Sequence, residues 1–116
     1  MANRVVWFDI PVEDLRRASE FYSKVLDISV HEAHGVAVLE HGGNDVAGCL
    51  VKSDDEKPSD HGSLLYFNVS GRLDTAIEAV EQCGGRILKA KEQIGEHGYR
   101  AIVLDSEGNR IALHSE

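Results

Sequence analysis

The side chains able to do chemistry are six histidines, two cysteines and one aspartate set inside an apolar run. They are His31, His34, His41, His61, His97, His114, Cys49, Cys83 and Asp9. Histidine titrates near neutrality and is the usual general acid or base. Imidazole and thiolate are also the usual ligands of transition metals. The spacing narrows these options. His31, His34 and His41 fall on short hairpin strands with opposite parity and a turn at Gly35 between them, so they do not aim at one point. His61 lies in a polar linker. Cys49 and Cys83 lack the paired spacing of a metal knuckle, and no cation stands near Cys49 to lower its pKa. Asp54-Asp55-Glu56 reads as a solvated loop. Gly42-Gly43 is a turn and not a phosphate cradle, because no helix follows it. His97 reads as part of a surface loop, and Asp9 and His114 each lie in a strand.

Composition excludes several partners. The 116 residues include 12 basic and 20 acidic side chains, a formal charge of −8. Such a surface repels phosphate backbones and anionic membranes, and no basic cluster offsets it, so neither nucleic acid nor membrane is expected as a partner. No apolar run reaches the roughly 20 residues that cross a bilayer. Met1 to Val6 lacks the layout of a signal peptide. A cytoplasmic chain with reduced thiols is the expectation. A hydrophobic share of 42% suits one domain, residues 1–116, with a real core.

The elements that must position these residues read as follows. Val5 to Val12 is a strand with Phe8, Ile10 and Val12 on one face and Trp7 and Asp9 on the other. Asp14 caps a helix whose apolar stripe is Leu15, Ala18, Phe21, Tyr22, Val25 and Leu26. Strands follow at Ile28–His31, Gly35–Glu40 and Val46–Lys52. A polar linker, about 54–62, leads to a second strand–helix–three-strand unit. Ser63 to Val69 is its first strand. Leu73, Ala76, Ile77 and Val80 stripe its helix, which Gly84-Gly85 stop. Arg86–Ala90 is a strand, Lys91–His97 a longer loop, and Tyr99–Leu104 with Arg110–His114 a hairpin.

The plan therefore occurs twice, in modules of about 1–53 and 63–116. Phe8, Ile10 and Val12 match Leu65, Phe67 and Val69, and Leu15, Ala18 and Tyr22 match Leu73, Ala76 and Val80. One unit alone is too small to bury both a helix and a sheet face. Two side by side predict an α+β fold: tandem βαβββ modules whose sheets form one open cup, helices outside.

Val5 to Tyr22 (VVWFDIPVEDLRRASEFY) resembles the start of the vicinal oxygen chelate superfamily, which includes glyoxalase I, bleomycin-resistance proteins and extradiol dioxygenases. The matching residues are Val12, Asp14, Leu15, Phe21 and Tyr22. Gly95 to Ser115, with its D-x-E-G-N run from Asp105 to Asn109, resembles the superfamily's last hairpin. Metal-using members place four ligands, usually His, Glu or Gln, in the cup. By resemblance those positions fall on Trp7, Cys49, Leu64 and Ala112. Three of these cannot donate a lone pair to a cation, so no cofactor is expected, although a divalent metal is not excluded.

The same resemblance turns Asp9, Tyr66 and His114 toward the cup, each two residues beyond one of those positions. Trp7, Asp9, Cys49, Leu64, Tyr66, Ala112 and His114 then form a ligand wall, with Tyr99 added from the Glu96–Tyr99 loop that could close the mouth. The resemblance implies a homodimer that binds a small organic molecule without the usual metal. The alternative is a glyoxalase-like lyase or isomerase, with a non-standard metal set or a metal-free pair of Asp9 and His114. The resemblance also allows a dioxygenase-like activity, and the third reading is a structural or regulatory partner with an empty cup. The fold by itself chooses none of these.

Overall fold

Strand alternation decides which half of each strand faces inward. Ile10 and Val12 are sealed from solvent, with Phe8 packed against them, whereas Trp7 stays 46% exposed. This comes from a computed structural model that describes residues 3–116. The elements are β1 Trp7–Pro11, α1 Leu15–Leu26, β2 Val30–Ala33, β3 Val36–Leu39, β4 Ala47–Val51, β5 Leu65–Asn68, α2 Leu73–Gln82, β6 Arg86–Gln93, β7 Tyr99–Leu104 and β8 Arg110–Ser115. The class is α+β, in two βαβββ modules. Each module makes an open four-stranded sheet, ordered β1-β4-β3-β2 and β5-β8-β7-β6. The order repeats: in both modules the first strand pairs parallel with the last. The duplication read from the apolar pattern is thus present as topology.

Helix α1 starts where Asp14 accepts from the Arg17 amide at 3.0 Å. It ends at Asp27, in the left-handed conformation at φ 56°. The turn between β2 and β3 is His34-Gly35, both at positive φ, as a two-residue hairpin requires.

The second module departs from expectation at β6. Lys91, Glu92 and Gln93, expected in a loop, continue the strand; Glu92 pairs with Arg100 and Gln93 with Tyr99. Register shifts between Ile87 and Lys89, and again before Glu92, let the strand run on. A short 3₁₀ turn, Gly95–His97, follows. Gly98 then sits at φ 92°, and a Cβ there would lie 2.3 Å from the Ser115 carbonyl oxygen, so only glycine fits this crossing.

One hydrophobic core serves both modules. It joins Ile10, Val12, Phe21, Tyr22 and Leu50 to Val69, Val80, Val103, Ile111 and Leu113. At the seam Phe8 and Phe67 meet edge to face, centroids 5.8 Å apart, and Tyr22 lies 5.7 Å from Phe67. Aromatic contacts of this kind add about 0.5–1.5 kcal/mol beyond area burial. The D-x-E-G-N run closes the joint. Asp105 Oδ2 accepts from the Tyr22 hydroxyl at 2.6 Å and from Asn109 Nδ2 at 3.0 Å. Glu107 Oε1 accepts from the amides of Glu13 and Asp14, at 2.9 and 2.8 Å. Arg17 adds a two-pronged pair to the same carboxylate, with Nε 2.7 Å from Oε2. A loop of the second module thereby holds the first turn of the first module's helix.

Candidate functional site

The strand halves turned away from this core carry the candidate residues. On the first sheet, the parallel ladder sets Asp9 opposite Cys49 and Trp7 opposite Ala47. Trp7 Nε1 donates to Asp9 Oδ1 at 2.9 Å, and Cys49 Sγ donates to the same oxygen at 3.3 Å. Asp9 therefore holds the indole, and Trp7 stays 46% exposed to solvent. Burial pushes the Cys49 thiol up to about 11, helped by the hydrogen bond to Asp9 and by that carboxylate's charge. It is a protonated wall thiol and no nucleophile at neutral pH. Val38 lies opposite Cys49 and His31 opposite Val38, so the row continues in apolar contact before it reaches an imidazole.

On the second sheet, Tyr66 and Ile102 flank Ala112 across the ladder, while Asn68 and Arg100 flank His114. Ala112 is fully buried and floors the cluster. Arg100 Nη1 donates to the Tyr66 hydroxyl. The Tyr66 and His114 rings meet edge on, centroids 6.4 Å apart. His114 Nε2 donates to the His97 carbonyl oxygen, which puts a proton on Nε2. That contact and the Gly98 crossing pin the 3₁₀ turn to the end of the sheet.

The structure thus brings Trp7, Asp9 and Cys49 together, and separately Tyr66, Ala112 and His114. Among the described residues no hydrogen bond, ion pair or ring contact joins the two sets, so Asp9 and His114 do not meet as an acid–base pair within the chain. Leu64 precedes β5 and lines an open groove of about 570 Å³ along the seam with Phe8, Val46 and Tyr66. Tyr99 does not join the wall. It pairs with Ser115, one residue out of step with His114, and its ring sits on the other face, 5.4 Å from the Lys91 ammonium. Arg100 escaped the sequence reading. A signal was present: closing the hairpin on Asp105–Asn109 with Leu104 opposite Arg110 sets Arg100 against His114.

The family model described as Glyoxalase/Bleomycin resistance protein/Dioxygenase superfamily matches residues 4–113. The chain belongs to this superfamily. Solved structures agree on the fold. A glyoxalase/bleomycin resistance protein from Albidiferax ferrireducens T118 superimposes with a TM-score of 0.82 at 17% identity, covering 98% of this chain and 99% of that one. A glyoxalase-related enzyme from Fulvimarina pelagi gives 0.79 at 14% identity, covering 98% and 88%. The fosfomycin resistance protein FosX from Mesorhizobium loti gives 0.71 at 16%, covering 100% and 93%. No curated protein sequence matches the chain. At these identities the likeness carries the fold and no activity.

The superfamily's usual divalent metal finds no matching donor set here. Trp7 offers only an N–H donor, already given to Asp9, and Leu64 and Ala112 offer no donor atom. Cys49 holds its proton against Asp9. Among the described residues no three His, Cys, Asp or Glu side chains converge to hold an ion.

Proposed function

We propose that this superfamily member is a cytoplasmic homodimer that binds a small organic molecule on its sheet faces without a divalent metal. One observation carries the reading. Trp7 and Tyr66 are 46% and 47% exposed, yet each is held in orientation by a polar neighbour. Rigid, half-open aromatic rings beside a few polar groups are the usual make-up of a small-ligand site. The exposed apolar side chains Val5, Val6 and Val46 support coverage by a second copy. Both cysteines are free, which suits a reducing compartment. No helix among the described residues is long and apolar enough to cross a membrane. The lyase or isomerase reading has less support, because Asp9 and His114 sit in separate clusters.

Thermal unfolding against a library of organic fragments, and against nickel, zinc, manganese and iron, tests this. Ligands of the native state raise the midpoint with concentration. The expected result is a shift with one fragment class and none with the metals. A shift with about one bound metal per chain would overturn the metal-free reading.

A further inference from the structure

We infer that the second sheet's face is an oxyanion subsite, with Arg100 as the anchor for a small organic carboxylate. This rests on the small-molecule reading above and names the ligand's class. Guanidinium carries five N–H donors in a planar fork that matches a carboxylate. Arg100 spends few of them. Its Nη1 reaches the Tyr66 hydroxyl, its Nη2 lies a loose 3.6 Å from Glu92 Oε1, and its buried Nε has no partner. The Arg100 side chain is 23% exposed and that of Glu92 is 42% exposed, so Glu92 is a displaceable stand-in for the anion. Tyr66 beside it offers ring surface, and His114 lies directly opposite Arg100 in the ladder with its Nε2–H given to the His97 carbonyl oxygen. In a chain of charge −8, this guanidinium shares its face with an exposed tyrosine, and its positive charge selects an anion.

The probe is benzoate, compared with its neutral isostere benzamide, by NMR titration of the full chain with the Tyr66, Arg100 and His114 resonances followed. Benzoate is expected to bind about ten-fold or more tightly than benzamide, as a charged two-pronged pair allows. Arg100→Gln should erase that preference. Arg16→Gln, which removes an exposed charge on α1, should leave it intact. Glu92→Gln should strengthen benzoate binding by removing the competitor, which keeps the idea testable should Arg100→Gln fail to fold. Equal binding of benzoate and benzamide at these residues would overturn the carboxylate assignment and leave the small-molecule reading standing. Unchanged benzoate affinity in folded Arg100→Gln, or unchanged or weaker binding in Glu92→Gln, would also overturn it. Failure of both probes, together with no fragment shift in the unfolding screen, would overturn both.

Discussion

Tyr22, in the middle of α1, donates its hydroxyl proton to Asp105 Oδ2 at 2.6 Å, across 83 residues of chain and from one module to the other. Burial raises the Tyr22 pKa well above its ordinary value, and the Asp105 charge and hydrogen bond push the same way, so the phenol stays a donor at every working pH. The D-x-E-G-N run is therefore a joint between modules.

Removing that donor should weaken the joint. Tyr22→Phe keeps the ring against Phe67 but takes one partner from a buried carboxylate. A hydrogen bond to a charged group contributes about 1.5–3 kcal/mol. The denaturant midpoint should fall accordingly with an unchanged slope. A midpoint equal to wild type would show that Asn109 and the backbone amides satisfy Asp105 alone.

Acid should act on the neighbouring carboxylate. Burial opposes ionisation of Glu107, but hydrogen bonds from Arg17, the Asp14 amide, Ser106 and the Glu13 amide outweigh it and hold the pKa at about 2, below its ordinary 4.5. A carboxylate depressed in the folded state contributes stability that is complete above the unfolded pKa and lost as pH falls through the folded one. Stability should therefore decline between about pH 4.5 and pH 2. Glu107→Gln should be less stable at pH 7 and flatter across that window. An equally steep decline in the variant would assign the acid sensitivity elsewhere.

Cys49 should be slow toward thiol reagents. With its pKa near 11, little thiolate exists at pH 8. Asp9→Asn removes the neighbouring charge and should speed alkylation of Cys49 several-fold, read by mass spectrometry of the labelled peptide. Equal rates in both proteins would mean that burial alone governs the thiol.

Trp7 is the chain's single tryptophan, so its fluorescence reports the first sheet's face directly. Acrylamide should quench it readily in dilute protein and less as concentration rises and a second copy covers the neighbouring Val5, Val6 and Val46. Quenching independent of concentration between nanomolar and high micromolar would count against the homodimer.

Much of the fold was legible because alternation and helical spacing are strong here. Phe8, Ile10 and Val12 against Trp7 and Asp9, and the α1 stripe from Leu15 to Leu26, announce their inward sides. Strand β6 reads short in the sequence because Lys89, Lys91, Glu92 and Gln93 are polar on both sides, and bulges erase the period of two. Tyr99 reads as part of the wall through the Glu96–Tyr99 loop, whereas its face is set by hairpin register, where a slip of one residue reverses every side chain. The face of Arg100 depends on the same register. That the two candidate clusters stand apart follows from how the modules dock, through Phe8, Tyr22 and Phe67, and no local pattern encodes docking.

The odd-and-even division of the strands has an evolutionary reading. Phe8 and Ile10, Leu65 and Phe67, and Ile111 and Leu113 build the core, while Trp7 and Asp9, Tyr66 and Asn68, and His114 interleave with them on the same five or six peptide bonds. Selection can rewrite one set of letters while leaving the other untouched. A library randomised at Trp7, Tyr66, Asn68 and His114 alone should yield mostly soluble, cooperatively folded proteins with new ligand preferences, whereas the same randomisation at their immediate neighbours should yield almost none.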